Sequence, residues 1–123
     1  MKSRINVLLV NRNQRNLELL ADLLSKAGYT TYTAATLEEF DQALVAEDRV
    51  GVALVDLTGF DSGVWERCEQ LRRKRKPFLV ISPSQSAAIQ QASLSHGAKG
   101  VMIKPLVIKD LISLIQGMLE EQE

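Results

Sequence analysis

The sequence predicts one α/β domain over residues 1–123, a parallel five-stranded sheet with helices on both faces. Three observations predict it. Short apolar runs alternate five times with stretches of helical periodicity, the pattern of β-α units. The clearest of these runs, INVLLV at residues 5–10 and VGVALVDL at residues 50–57, are nearly continuous in apolar residues, as strands buried on both faces are. A chain of 123 residues, 46% hydrophobic and 24% charged, fits one ordinary globular domain and is too apolar to be disordered throughout.

Ile5–Val10 is the first strand, closed by the polar residues Asn11-Arg12-Asn13. From Gln14 to Ala27, Leu17, Leu20, Leu24 and Ala27 recur at three- and four-residue spacing, one helical face, and Gly28 is its stop signal. Tyr29–Ala34 is rich in Thr and Tyr and reads as the second strand. Thr36-Leu37-Glu38-Glu39 is a capping box, and Phe40, Ala43 and Leu44 continue the helix it opens. Val50–Leu57 is the third strand. Gly63–Arg75 is a helix with a cationic last turn, and Phe78–Ile81, entered through Pro77, is the fourth strand. Gln85–His96 is a helix ended by Gly97, Gly100–Ile103 is the fifth strand, and Ile108, Leu111, Ile112, Ile115 and Leu119 form the buried stripe of a last helix.

Right-handed crossovers leave few ways to arrange such units, and the flavodoxin-like order 2-1-3-4-5 is the common one at this size. Ligands of such sheets bind outside the carboxyl ends of the strands. Asn11, Arg12 and Asn13 follow strand 1, Asp56 ends strand 3, Ser82 and Pro83 follow strand 4, and Lys104 and Pro105 follow strand 5. A carboxylate, a hydroxyl and an amine are thereby expected at one edge.

Composition excludes other classes. Fifteen Lys and Arg balance fifteen Asp and Glu, whereas a dedicated nucleic-acid binder needs a basic surplus. No apolar run approaches the roughly 20 residues that span a bilayer, and residues 1–5 lack the pattern of a signal peptide. One cysteine, Cys68, excludes an internal disulfide and fits a reducing compartment, so a cytoplasmic location is expected. One His, one Cys and no triad or metal-ligand cluster argue against an independent enzyme.

The residues now in place carry a resemblance. Ile5–Val10, Ala53–Leu57 with Asp56, Leu79–Ser82 and the run Gly97-Ala98-Lys99-Gly100-Val101-Met102-Ile103-Lys104-Pro105 resemble the receiver domain of two-component response regulators, from end to end. The resemblance implies that Asp56 accepts a phosphoryl group from a histidine kinase and that Ser82 and Lys104 contact the phosphoryl oxygens. It also implies a partner or homodimer face on the fourth helix, fifth strand and fifth helix, between about Gln85 and Glu121. Forming an acyl phosphate gathers negative charge, so its catalysis is mostly positioning and neutralisation. In the family a magnesium ion supplies that charge, held by oxygen ligands.

The sequence departs from the family where that ion sits. The two family acids after strand 1 are replaced by Asn11 and Arg12. Counting Asp56, Arg12 and Lys104 gives the pocket net +1, against −2 for a typical receiver. A dication about 6 Å from one misplaced unit charge would feel roughly 5 kcal/mol at an effective dielectric of about 20. Magnesium binding in the family manner is therefore expected to be weak or absent. The switch position three residues before Lys104 is Val101 rather than an aromatic residue, and the loop Leu57–Gly63 lacks the usual Pro and is about one residue short.

Each candidate also has a plainer reading. Arg12 is either solvated or paired with Asp56 in place of the ion. Ser82 is either a phosphoryl contact or a cap for the following loop. Asp61 reads as a turn residue, His96 as a residue at a helix carboxyl end, and Cys68 as a packing thiol. The run Arg72-Arg73-Lys74-Arg75-Lys76 reads as compensation of a helix dipole rather than as a nucleic-acid site. Three functions remain in play: a degenerate receiver acting through protein partners, a working phosphoacceptor with an unusual site, and a small-molecule anion or nucleotide binder at the helix opened by Asn11–Arg15. The last lacks the Gly-rich cradle that phosphate loops require.

Overall fold

The computed structural model describes residues 6–45 and 50–121. Strands β1 (Asn6–Val10), β2 (Thr30–Ala34), β3 (Val50–Asp56), β4 (Phe78–Ser82) and β5 (Gly100–Ile103) alternate with helices α1 (Gln14–Lys26), α2 (Leu37–Val45), α3 (Gly63–Arg73), α4 (Ala87–Ser95) and α5 (Ile108–Glu121). All strand pairs are parallel, in the order β2-β1-β3-β4-β5 expected from the sequence.

The strands divide their side chains between two cores, as a period of two requires. Leu8, Val10, Ala53, Val55, Phe78 and Val80 face Phe40 and Leu44 of α2 and Val64, Cys68 and Leu71 of α3. Val7, Leu9, Val52, Leu54, Leu79 and Ile81 face Leu17 and Leu24 of α1 and Leu111, Ile115 and Met118 of α5. Both faces of the central strands are thus shielded from water, which explains runs without polar alternation. β5 is an edge strand with half-exposed side chains, and Ile103 is 39% exposed.

Helix ends account for the differences from the expected boundaries. α1 and α4 close with paired backbone bonds around a positive-φ glycine, Tyr29 N to Leu24 O with Gly28 N to Ser25 O, and Ala98 N to Ser93 O with Gly97 N to Leu94 O. α3 closes the same way, Lys76 N to Leu71 O and Arg75 N to Arg72 O, but the residue in the left-handed conformation is Arg75, at φ 59°. The helix expected to reach Arg75 therefore stops at Arg73. α4 begins at Ala87 rather than Gln85, because the Ser86 hydroxyl accepts the Ile89 amide as its cap. The capping box of α2 forms in a shifted version: Thr36 Oγ1 accepts from Glu39 N at 3.0 Å, while the Glu39 carboxylate accepts from Ala35 N, one residue before the cap, at 2.6 Å. β4 extends one residue further than expected, so Ser82 closes the strand. Ile5, placed in the first strand by the sequence, lies outside the described residues.

Candidate functional site

Register brings the strand ends together. Val10 pairs with Val55, Asp56 with Ile81 and Ser82 with Ile103. Backbone bonds from Asn11 N to Ala34 O, Leu57 N to Ile81 O and Lys104 N to Ser82 O then fix the residues just beyond the sheet. Asn11, Asp56 and Lys104 meet there, at one end of a cleft of about 510 Å³ whose wall continues along Leu19, Leu20 and Leu23 of α1 to Pro105 and Leu106. The Lys104–Pro105 peptide bond is cis.

Asp56 is 2% exposed, and a buried carboxylate needs partners for its lone pairs. Its Oδ1 accepts the Thr58 amide at 2.9 Å. Its Oδ2 accepts the Asn11 side-chain amide at 3.2 Å and the Lys104 ammonium at 2.6 Å. Lys104 also donates to Thr58 Oγ1 at 3.2 Å. Asn11 is oriented from its other end, where its Oδ1 accepts Asn13 N at 2.8 Å. The carboxylate is thus neutralised by one fixed cation and held by two neutral donors.

The remaining sequence candidates lie apart from this centre. Arg12 is exposed, and its guanidinium carbon stands 6.0 Å from the centre of the Phe60 ring, so of the two readings left open the ion pair with Asp56 is not the one adopted. Its Cγ also closes on Gly59, where an added Cβ would lie 3.3 Å away. Ser82 is buried, and its hydroxyl donates to Ser84 O at 2.8 Å and accepts from Ser84 N at 3.4 Å, the loop-capping role. Val101 packs half-buried against the α2–α3 core. Asp61 accepts Gly63 N at 2.8 Å, as a turn residue does. At the α1 end proposed for anions, Asn13 caps Asn16 N at 3.0 Å.

Other singled-out residues have structural surroundings. Cys68 is buried, and burial pushes its thiol up to about 12, with the charge of Glu69 adding to the effect. His96 stacks on Trp65 at 4.9 Å between ring centres and its Nδ1 meets Glu69 Oε2 at 3.0 Å. Arg67 is held by a forked contact to Asp41, 2.9 and 3.0 Å, and that hydrogen bond raises its pKa. Thr58 is the participant that sequence reasoning missed. Its contribution is a backbone amide and a hydroxyl two residues past the strand, which no motif announces.

No protein-family model matches the chain. It is 30% identical over 122 residues to the transcriptional regulatory protein GltR of Pseudomonas aeruginosa and 25% identical over 120 residues to the transcriptional regulatory protein HprR of Escherichia coli. These alignments take in 96% and 95% of this chain but 50% and 52% of the relatives, so the chain spans about half the length of the curated relatives it matches. Its structure superposes on a CheY-like response regulator receiver domain protein from Methanospirillum hungatei with a TM-score of 0.86 and 26% identity, covering 98% of this chain and 97% of the other. A two-component response regulator from Clostridium difficile gives the same TM-score at 17% identity, a likeness of fold, over 98% of this chain and 99% of that one. Fold and site together define a signalling module built on the CheY-like sheet, not an enzyme. Over nearly its whole length the chain is similar to response regulator receiver domains. Among the described residues, no helix is long and apolar enough to cross a membrane.

Proposed function

We propose that this chain is an atypical receiver that signals chiefly by binding a protein partner, with its phosphorylation absent or independent of magnesium. The observation that supports this most is the environment of Asp56. Magnesium favours six oxygen ligands in octahedral array, usually with one or two carboxylates among them. Among the described residues Asp56 is the sole carboxylate of the cluster, and its Oδ2 already accepts an ammonium at 2.6 Å. Asn11 donates its amide hydrogen to Asp56 instead of offering an oxygen to a cation. No group of three or more His, Cys, Asp or Glu is assembled among the described residues. The donor set does not fit the family's ion.

The partner face expected between Gln85 and Glu121 exposes Leu94 of α4, Ile103 of β5 and Leu114 of α5, apolar surface suited to a protein partner or a second copy. A second reading, a phosphoacceptor served by a histidine kinase, is favoured by the retained contact of Lys104 with Asp56. On that reading Lys104, rather than Arg12, supplies the fixed positive charge, and Ser82 contacts the phosphoryl group only after its hydroxyl leaves Ser84.

The test is intact-mass analysis after incubation with acetyl phosphate, with and without magnesium, beside Asp56→Asn. The expected result is no adduct, or an Asp56-dependent adduct of equal yield in both conditions. An adduct on Asp56 that forms only with magnesium overturns the proposal. Labelling by a cognate kinase at equal rates with and without magnesium would decide for the second reading.

A further inference from the structure

At the pole of the sheet opposite Asp56, four cations gather around a cleft of about 380 Å³. Arg72, Arg75 and Lys76 come from the α3–β4 connection and Lys99 from the α4–β5 connection, with Pro77 and Met118 supplying apolar wall. Among the described residues, no carboxylate lines it. Two segments from different β-α units therefore bring like charges together at the surface, with Arg72, Arg75 and Lys99 exposed and open to an anionic ligand.

The intrinsic offsets are insufficient. The carboxyl ends of α3 and α4 each carry about half a negative charge at most, and their last carbonyls are already bonded in the closing motifs. Glu69 is the nearest acid with an assigned contact, 3.7 Å from Arg72, and it is shared with His96. Together these offset about two of the four positive charges. Arg75, Lys76 and Lys99 form no ion pair among the described residues.

Arg75 supplies the second observation. α1 and α4 place glycine at the left-handed position that ends a helix, whereas α3 places Arg75 there, at φ 59°. A non-glycine residue in this conformation is strained, and retained strain points to a function for the side chain. The side chain in question lines the cleft. An arginine offers a planar fork that pairs with phosphate oxygens two at a time.

We propose that this cleft is an anion site for a small ligand carrying adjacent phosphates, such as a nucleoside triphosphate or an inorganic polyphosphate. Its volume falls within the range of small-molecule sites. A multiply charged phosphate ligand offsets the roughly two positive charges left uncompensated. A nucleic-acid backbone does not suit it, because the site is one confined cleft in a chain of zero net charge. The site is independent of Asp56 and of the reading given above.

Isothermal titration calorimetry of the whole chain tests it, in metal-free buffer at low salt, with sodium tripolyphosphate, ATP and, as a control at equal ionic strength, sulfate. Tripolyphosphate and ATP are expected to bind with one site, and sulfate much more weakly. Equal affinity for the two identifies the polyphosphate group as the whole determinant, and tighter ATP binding identifies a nucleotide. Arg75→Gly is the decisive variant, since it relieves the backbone strain while removing a cation. Its melting temperature should rise while its affinity falls about tenfold. Lys99→Ala, in the other segment, should weaken binding in the same direction. Affinity unchanged in both variants, or no preference for either polyphosphate over sulfate, overturns the proposal.

Discussion

Lys104→Met is the substitution that most directly probes how Asp56 is held. The ammonium lies 2.6 Å from a carboxylate whose side chain is 3% exposed, while the lysine side chain is 30% exposed. Two unit charges at that separation attract by about 6 kcal/mol at an effective dielectric of 20. Desolvation offsets part of this, and what counts for the variant is the cost of leaving a buried carboxylate with neutral donors alone. Breaking a buried pair from one side costs about 3–5 kcal/mol, and access of water to Lys104 lowers the expectation to about 2–4 kcal/mol. Asp56→Asn removes the same pair from the other side. Lys104 then swings to water, and Asn11 turns its amide to present oxygen to the new side chain, so the cost should stay below about 1 kcal/mol. Urea denaturation followed by the fluorescence of the single tryptophan, Trp65, measures both. In the double variant the penalty of Lys104→Met should largely vanish, because no buried charge is left. A loss under about 0.5 kcal/mol for Lys104→Met, or a larger loss for Asp56→Asn than for Lys104→Met, would refute the picture of a carboxylate neutralised by one fixed cation.

Two further predictions concern the scaffold. Gly28→Ala and Gly97→Ala should each cost about 1–2 kcal/mol by thermal or urea unfolding, from their positive φ values of 97° and 104°. Gly97→Ala should cost more than Gly28→Ala, because an added Cβ there would lie 2.8, 3.0 and 3.2 Å from Arg72 Cδ, Cγ and Cβ, the anchored end of that side chain, whereas nothing lies within 4 Å at Gly28. Cys68 makes stability pH-dependent in alkali. Burial raises its thiol from 9.0 to about 12, so the stabilisation is complete below pH 9 and is lost as pH climbs from 9 towards 12. The added slope is about 1.4 kcal/mol per pH unit at its steepest, and it should be absent from Cys68→Ala when the two unfolding curves are compared across that range.

Much of this was legible because the governing physics is local or topological. Strands buried on both faces must be apolar throughout, and Leu8, Val55 and Val80 on one side and Leu9, Leu54 and Ile81 on the other show why INVLLV and VGVALVDL carry no polar alternation. Crossover handedness left few strand orders, of which 2-1-3-4-5 is the common one, and the order fixed which residues share the carboxyl edge. The end of α3 was not legible, because Arg75 in a left-handed conformation gives no compositional signal where glycine would have given one. Nor was the partnership of Ser82, whose hydroxyl has Ser84 within reach two residues on. Side-chain choice among nearby partners depends on distances of an ångström or less, and sequence spacing does not carry them.

Arg12 is the instructive case, since it changes the reason that magnesium fits poorly. Counting residues by position put its charge inside the pocket and made repulsion the obstacle. The side chain instead lies over Phe60, and the cluster around Asp56 contains one carboxylate and one ammonium, net zero. Repulsion from Arg12 is then a minor term, and the obstacle becomes a shortage of oxygen ligands together with Lys104 occupying the carboxylate. The two explanations separate experimentally. If charge were the obstacle, Arg12→Ala alone would recover magnesium binding. If ligands are short, Arg12→Ala should leave magnesium affinity as weak as in the parent, while the paired Asn11→Asp and Arg12→Asp changes should raise it, as read by calorimetry with magnesium alone. Recovery in Arg12→Ala would return the guanidinium to the centre of the site and overturn the account based on missing oxygen ligands.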